Sequence, residues 1–227
     1  MAGSATEQSF YLATLLALSY TIYYDYGNGG PTPLGDRGPF LGKLFTLTYL
    51  CLLIQWMHCF LGLFREDERA RRLHDLWHAG LALPLGWGVV FGFWLTYTID
   101  PAMTVPRHIQ KYLAVKWYNH MIHTAPFALQ LADALFIKRP RQSFRASLCL
   151  VAALVVSYVS SLYWCWWTYG VWAYPLLADV GTHPNRALVV LLAIAILGTF
   201  CALGALARRL GFGQCGFEMH GDKAKGE

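Results

Sequence analysis

The segment Trp117-Tyr118-Asn119-His120-Met121-Ile122-His123-Thr124 sets an amide and two imidazoles into an otherwise apolar stretch of chain. Asn119 and His123 stand one helical turn apart and share a face, and His120 neighbours His123 at i, i+3. Such groups are costly in hydrocarbon, so they usually face a bundle interior or a cavity. A second stretch carries Thr46, Thr48, Gln55 and His58. A membrane threonine ordinarily returns its hydroxyl to a carbonyl one turn earlier. It becomes chemically meaningful only when an imidazole faces it, because a hydroxyl nucleophile and a general base are the minimum for acyl transfer.

Other ionisable groups offer competing chemistry. His58 and His78 could ligate haem or a metal from two helices, although a histidine near a membrane interface is more often a packed amphipathic ring. Asp100 and Asp133 stand at opposite ends of their stretches, and neither is placed by sequence to reach His123, so no triad is read.

The composition says what must hold these groups. Charged residues make up 14% of the 227-residue chain, against about 25% in an ordinary soluble domain. They cluster in short stretches, and six apolar runs remain: residues 9–24, 40–64, 76–99, 115–136, 147–167 and 187–206. A bilayer core of roughly 30 Å needs about 20 mainly apolar residues in a helix, so each is read as a transmembrane span. Tyr23, Tyr24 and Tyr26 end the first span as an interfacial belt, as Trp164, Trp166 and Trp167 end the fifth. Gly and Pro break the chain at residues 27–35, and Pro101 and Pro106 do so after the third span.

Cations orient the bundle. Arg65, Arg69, Arg71 and Arg72, then Lys138, Arg139, Arg141 and Arg145, then Arg208, Arg209, Lys223 and Lys225 lie on the side of both termini. The opposite side holds Arg37, Lys43, Arg107, Lys111, Lys116 and Arg186, so twelve cations face six. The positive-inside rule then puts the termini in the cytoplasm. The expected fold is all-α: a single domain over residues 1–227, an integral membrane bundle of six transmembrane helices with both termini cytoplasmic and a short tail at 207–227. The net charge of +5 follows from that topology. With no soluble basic domain, nucleic acid is not a partner.

No cleavable secretory signal is read, since no cation precedes Arg37. Cys51, Cys59, Cys149, Cys165 and Cys201 lie inside spans without a CxxC pair and are expected to be free thiols, and Cys215 is a palmitoylation candidate. In the bundle the second and fourth spans run the same way. Thr48 lies eight residues past Phe40 and His123 eight past Val115. At 1.5 Å per residue both sit about 12 Å below the outer boundary. His58 and His78 likewise match in depth near the inner boundary.

Three segments carry a resemblance. They are Gly42-Lys43-Leu44-Phe45-Thr46-Leu47-Thr48-Tyr49-Leu50-Cys51-Leu52-Leu53-Ile54-Gln55, the Asn-His-x-x-His-Thr motif at Asn119 to Thr124, and Gly170-Val171-Trp172-Ala173-Tyr174-Pro175. With Leu81-Ala82-Leu83-Pro84 and Phe93-Trp94, the chain from Tyr20 to Leu206 resembles the family of the androgen-induced gene 1 protein and the androgen-dependent TFPI-regulating protein. The resemblance implies a multi-pass threonine hydrolase that cleaves fatty acid esters of hydroxy fatty acids, the FAHFA lipids, within the membrane. The family's catalytic Thr falls on Thr48 in an ungapped match and on Thr46 in a gapped one, and its His falls on His123. Cys51 stands where the family has Asp or Asn.

On this reading Asn119 and His120 support the base, while Trp172 and Tyr174 wall the acyl chains or belong to an interfacial belt. The substrate is a lipid ester within the bilayer, with no cofactor and no metal. A transporter or a haem-binding protein would use the same buried histidines differently. The tail Lys223-Ala224-Lys225-Gly226-Glu227 resembles a dilysine retrieval signal, which places the protein in the endoplasmic reticulum, with the plasma membrane as the alternative.

Overall fold

The computed structural model describes residues 5–28, 40–105, 110, 113–137, 139, 143–179 and 195, and every regular element among them is helical. In chain order these are α1 (Ala5–Gly27), a 3-10 helix (Phe40–Phe45), α2 (Leu47–Gly62), α3 (Glu68–Trp77), a π-helical turn (His78–Ala82) and α4 (Leu83–Ile99). There follow α5 (Pro101–Thr104), α6 (Lys116–His123), α7 (Ala125–Phe136), α8 (Phe144–Tyr169) and α9 (Pro175–Asp179). Helices thus fall on each of the first five expected spans. The sixth, at 187–206, lies outside the described residues apart from Ala195, as do Cys201, Cys215 and the tail. Cys51, Cys59, Cys149 and Cys165 are free.

Among the described residues, two helical stretches are long and apolar enough to cross a membrane, Glu68–Ile99 and Phe144–Tyr169. Along the second, Val156, Trp164 and Trp167 are 66%, 63% and 81% exposed. An apolar face left uncovered by the described residues suits a lipid surround. These are the features of a membrane protein.

Local chemistry sets the helix limits. Asp67 caps α3 by accepting from Ala70 N, and Ser143 caps α8 by accepting from Ala146 N. Gly170 ends α8 at φ 69°, a left-handed conformation that favours glycine. Prolines explain the two interruptions. Pro84 lacks an N–H and would crowd the carbonyl of Gly80 in a regular α-helix, and the turn before it widens, with Leu83 N donating to the His78 carbonyl. Pro126 also lacks an N–H, and the fourth span breaks just before it, at Thr124, into α6 and α7.

α2 is the central helix, touching α1, α3, α4, α6 and α7. The face of α1 turned inward carries Tyr11, Thr14, Leu18, Thr21 and Asp25, a spacing of three and four residues that keeps one stripe on the core. Tyr49 and Leu52 of α2, Phe93 of α4, and Tyr118 and Ile122 of α6 share that core.

One expectation is corrected here. Residues 40–64 are not one continuous helix, because the 3-10 segment stops at Thr46 and α2 begins at Leu47. The 3-10 turn rises by about 2 Å per residue rather than 1.5 Å. The equal depth of Thr48 and His123, counted from Phe40 and Val115, therefore does not hold as calculated.

Candidate active site and a buried charge network

Two polar groupings lie along α2, one at its start and one near its end. At the start, Thr46 is the N-cap: its hydroxyl donates to the Lys43 carbonyl at 2.8 Å and accepts from Tyr49 N at 3.4 Å. The Thr48 hydroxyl makes no hydrogen bond among the described residues and is half-buried. Leu47 N donates to the Tyr174 hydroxyl at 2.8 Å. That hydroxyl lies 3.0 Å from the Tyr158 hydroxyl, which donates to the Phe45 carbonyl at 3.0 Å. With Leu47 and Tyr49 N–H occupied, the Thr48 N–H remains as a first-turn donor without an acceptor among the described residues.

Below Thr46, Lys43 is buried with its ammonium 2.5 Å from Asp25 Oδ2, and Tyr118 donates to Asp25 Oδ1 at 2.6 Å. This pair ties the 3-10 helix and α6 to the end of α1.

His123 closes α6 and is buried, its ring stacked on Phe93. Its Nδ1 lies 2.7 Å from Asn119 Oδ1, as the one-turn spacing requires. With an amide oxygen facing it, Nδ1 carries the hydrogen and Nε2 keeps a lone pair. His120 is exposed, with Nδ1 3.0 Å from Thr124 Oγ1 and its ring against Trp94. Trp94 Nε1 donates to the His123 carbonyl at 3.1 Å, which holds α4 against the end of α6.

α2 and α6 are neighbours, but no hydrogen bond joins Thr48 to His123. Trp172 stacks on Trp166, one of the three tryptophans at the end of the fifth expected span. Tyr174 brackets the start of α2 rather than lining an acyl channel by any contact seen. Asp100 caps α5 through Ala102 N and Asp133 points elsewhere, so neither completes a triad with His123.

The second grouping sits near the other end of α2. Asp133 of α7 accepts from the Tyr11 hydroxyl through Oδ1 at 2.7 Å. Its Oδ2 lies 2.6 Å from Arg139 Nη2, 3.1 Å from His78 Nδ1 and 3.4 Å from His58 Nε2. Asp75 Oδ1 lies 2.6 Å from Arg65 Nη1 and 3.2 Å from Arg139 Nε. His74 stacks on His58 at 4.3 Å between ring centroids. All of these side chains are buried.

Burial opposes charge on Arg139, but Asp133 more than offsets it, and the guanidinium is held above its ordinary range. Two carboxylates and two guanidiniums balance, which is how ionised groups survive away from water. His58 and His78, which the sequence put at matching depth, lie close together, the rings standing 5.3 Å apart. With Tyr11 and His74 also packed on His58, no room is left there for a porphyrin.

Sequence reasoning missed Tyr11, Arg65, Asp75 and Arg139 in this network. Their partners are up to 128 residues away, and no spacing rule joins them. The signal available was Asp133, a carboxylate inside an apolar run that needs a counter-charge.

Comparison with known proteins agrees with the residues. The human androgen-dependent TFPI-regulating protein (Homo sapiens) is 30% identical over 146 residues, 59% of this chain and 62% of the relative. The human androgen-induced gene 1 protein (Homo sapiens) is 27% identical over 139 residues, 61% of this chain and 57% of the relative. The hamster androgen-dependent TFPI-regulating protein (Mesocricetus auratus) is 24% identical over 168 residues, 69% of this chain and 71% of the relative. The matched region spans about three-fifths of the length of the two human relatives. No solved structure matches. The model of the FAR-17a/AIG1-like protein family matches residues 7–208, and the chain therefore belongs to that family.

Proposed function

We propose that this chain is an intramembrane threonine hydrolase that cleaves FAHFA lipids to a fatty acid and a hydroxy fatty acid, with Thr48 as nucleophile and His123 as general base. It works from a bundle of six transmembrane helices with both termini in the cytoplasm. The observation that carries the reading is the Asn119–His123 hydrogen bond, which leaves Nε2 as the proton acceptor. The difference between the two threonines supports it, since Thr46 is spent on the helix cap and Thr48 is not.

The Thr48 proton passes to His123 Nε2 as the oxygen attacks the ester carbonyl carbon. The Thr48 N–H, at the positive end of α2, donates to the oxyanion. Collapse expels the hydroxy fatty acid, whose oxygen takes the proton back from His123. A water deprotonated by the same ring then attacks the acyl-threonine carbonyl, and collapse releases the fatty acid as His123 returns the proton to the departing Thr48 oxygen. Hydrogen bonds between nucleophile and base are often long in a free enzyme and tighten around substrate, so the unpaired state of Thr48 and His123 is compatible with this chemistry.

The test uses membranes containing the full chain. Thr48→Ala and His123→Ala should each abolish FAHFA hydrolysis, and Thr48→Ala should lose labelling by a fluorophosphonate probe. Wild-type activity in either variant ends the proposal.

A further inference from the structure

We infer that His58, His78 and Asp133 form a binding site for one divalent cation of the zinc class. The site is separate from Thr48 and His123 and does not rest on the hydrolase reading. One ring nitrogen each of His58 and His78 and an Asp133 oxygen all lie within 4.8 Å of one another. Asp133 Oδ2 stands 3.4 Å from His58 Nε2 and 3.1 Å from His78 Nδ1. Zinc bonds of about 2.0–2.1 Å at a tetrahedral angle separate two ligand atoms by roughly 3.4 Å. Two imidazoles and one carboxylate with a fourth position open is a donor set that suits zinc.

Hydrogen bonding gives the second observation. Both nitrogens of His58 and Nδ1 of His78 are buried and have no hydrogen-bond partner, while Asp133 Oδ2 is held by its ion pair with Arg139 at 2.6 Å. An unsatisfied buried polar atom costs about 1–3 kcal/mol. A shared cation would take up the lone pairs of His58 Nε2, His78 Nδ1 and Asp133 Oδ2 together.

The surroundings have the form of a supporting layer. Tyr11 donates to the other oxygen of Asp133 at 2.7 Å and fixes the carboxylate. Arg139 shares Oδ2, and a carboxylate oxygen has a second lone pair for it. Arg139 is also anchored 3.2 Å from Asp75 Oδ1 and 3.0 Å from the Tyr11 hydroxyl, so it keeps acceptors if the cation claims Oδ2. The ligands come from α2, the π-helical turn and α7, and the widened turn at Pro84 carries His78. Extra turns of this kind recur at functional sites.

The test measures metal in the full-length protein purified in detergent, stripped with chelator and reloaded with zinc or cobalt(II). Wild type and His120→Gln should bind one metal per chain. His58→Gln and His78→Gln should bind at least about tenfold less, and Tyr11→Phe should weaken affinity by about 10–100-fold. A ligand variant can fail to fold, so the wild type supplies its own readout: cobalt-loaded protein should show the visible bands of a four-coordinate nitrogen and oxygen site. Less than one-tenth of a metal per reloaded chain, absent cobalt bands, or equal loading in folded His58→Gln and His78→Gln would each overturn the inference, leaving water as the occupant.

Discussion

Thr46 and Thr48 are two residues apart, yet a helix begins between them and divides their work. The Thr46 hydroxyl closes the first turn of α2 from both directions, donating to Lys43 and accepting from Tyr49. Its replacement by Ala should cost about 1 kcal/mol of stability while the proposed FAHFA hydrolysis persists, read as a lowered melting temperature with catalysis retained. Asn119 has the opposite profile. It holds the imidazole in one tautomer through a single bond of 2.7 Å. Under the proposed mechanism, Asn119→Ala should therefore lower kcat by about 10²-fold, the lower range for general-base assistance, with little change in melting temperature. A large loss of rate in Thr46→Ala with none in Asn119→Ala would move the nucleophile to Thr46 and remove Asn119 from the mechanism. Cys51, one turn beyond Thr48, is buried and touches Gln55 only weakly, so it does not replace the family's Asp or Asn as a charged or amide partner.

At the scale of elements, α2 keeps its position because α4 and α7 approach it through small or polar contacts. Gln55 of α2 donates to the Ala82 carbonyl at 2.8 Å in the π-helical turn and accepts from Gln130 of α7 at 2.5 Å. Gly86 of α4 lies beside this chain of amides. A Cβ there would stand 3.0 Å from Gln55 Nε2 and 3.0 Å from the Pro126 carbonyl oxygen, and the backbone atom cannot swing away. Gly86→Ala should destabilise by about 1–3 kcal/mol through overpacking. Gly92→Ala on the same helix, where nothing lies within 4 Å, should not. Comparable melting temperatures for the two variants would contradict this packing. The same elements mark how much the sequence discloses. Helices on five runs were legible because long apolar stretches carry the signal, and Asn119 with His123 was legible because a one-turn spacing is local. The start of α2 at Leu47 was not, since the 3-10 segment before it is as apolar as the helix after it. Pro84 and Pro126 hold the signal for the breaks in the third and fourth spans, through the missing N–H and the ring, but apolarity alone reads the runs 76–99 and 115–136 each as one uninterrupted span. The network around Asp133 depends on Tyr11, Arg65, Asp75 and Arg139 meeting across four segments, which periodicity along one segment cannot express.

For the whole molecule, the cation count and the buried ion pairs constrain topology together. Arg65 and Arg139 follow the second and fourth expected spans, and both reach Asp75 in one buried network. The ends of those spans therefore lie at one level of the fold. Lys43, at the start of the second span, pairs instead with Asp25 at the end of the first, so the two networks mark opposite ends of the bundle. Under the proposed six-span arrangement, twelve of the eighteen cations in the sequence belong to the side of Arg65 and Arg139, which the positive-inside rule would make cytoplasmic. The proposed six-span arrangement puts both termini there too, whereas any odd number of spans would separate them. Epitope tags on either terminus should both be stained when only the plasma membrane is permeabilised. An Asn-x-Thr acceptor inserted among residues 29–35 should be glycosylated, and the same insertion after Asp67 should not, because glycosylation occurs on the luminal side. Termini stained under different conditions would rule out an even span count, and a glycosylated insertion after Asp67 would invert the bundle.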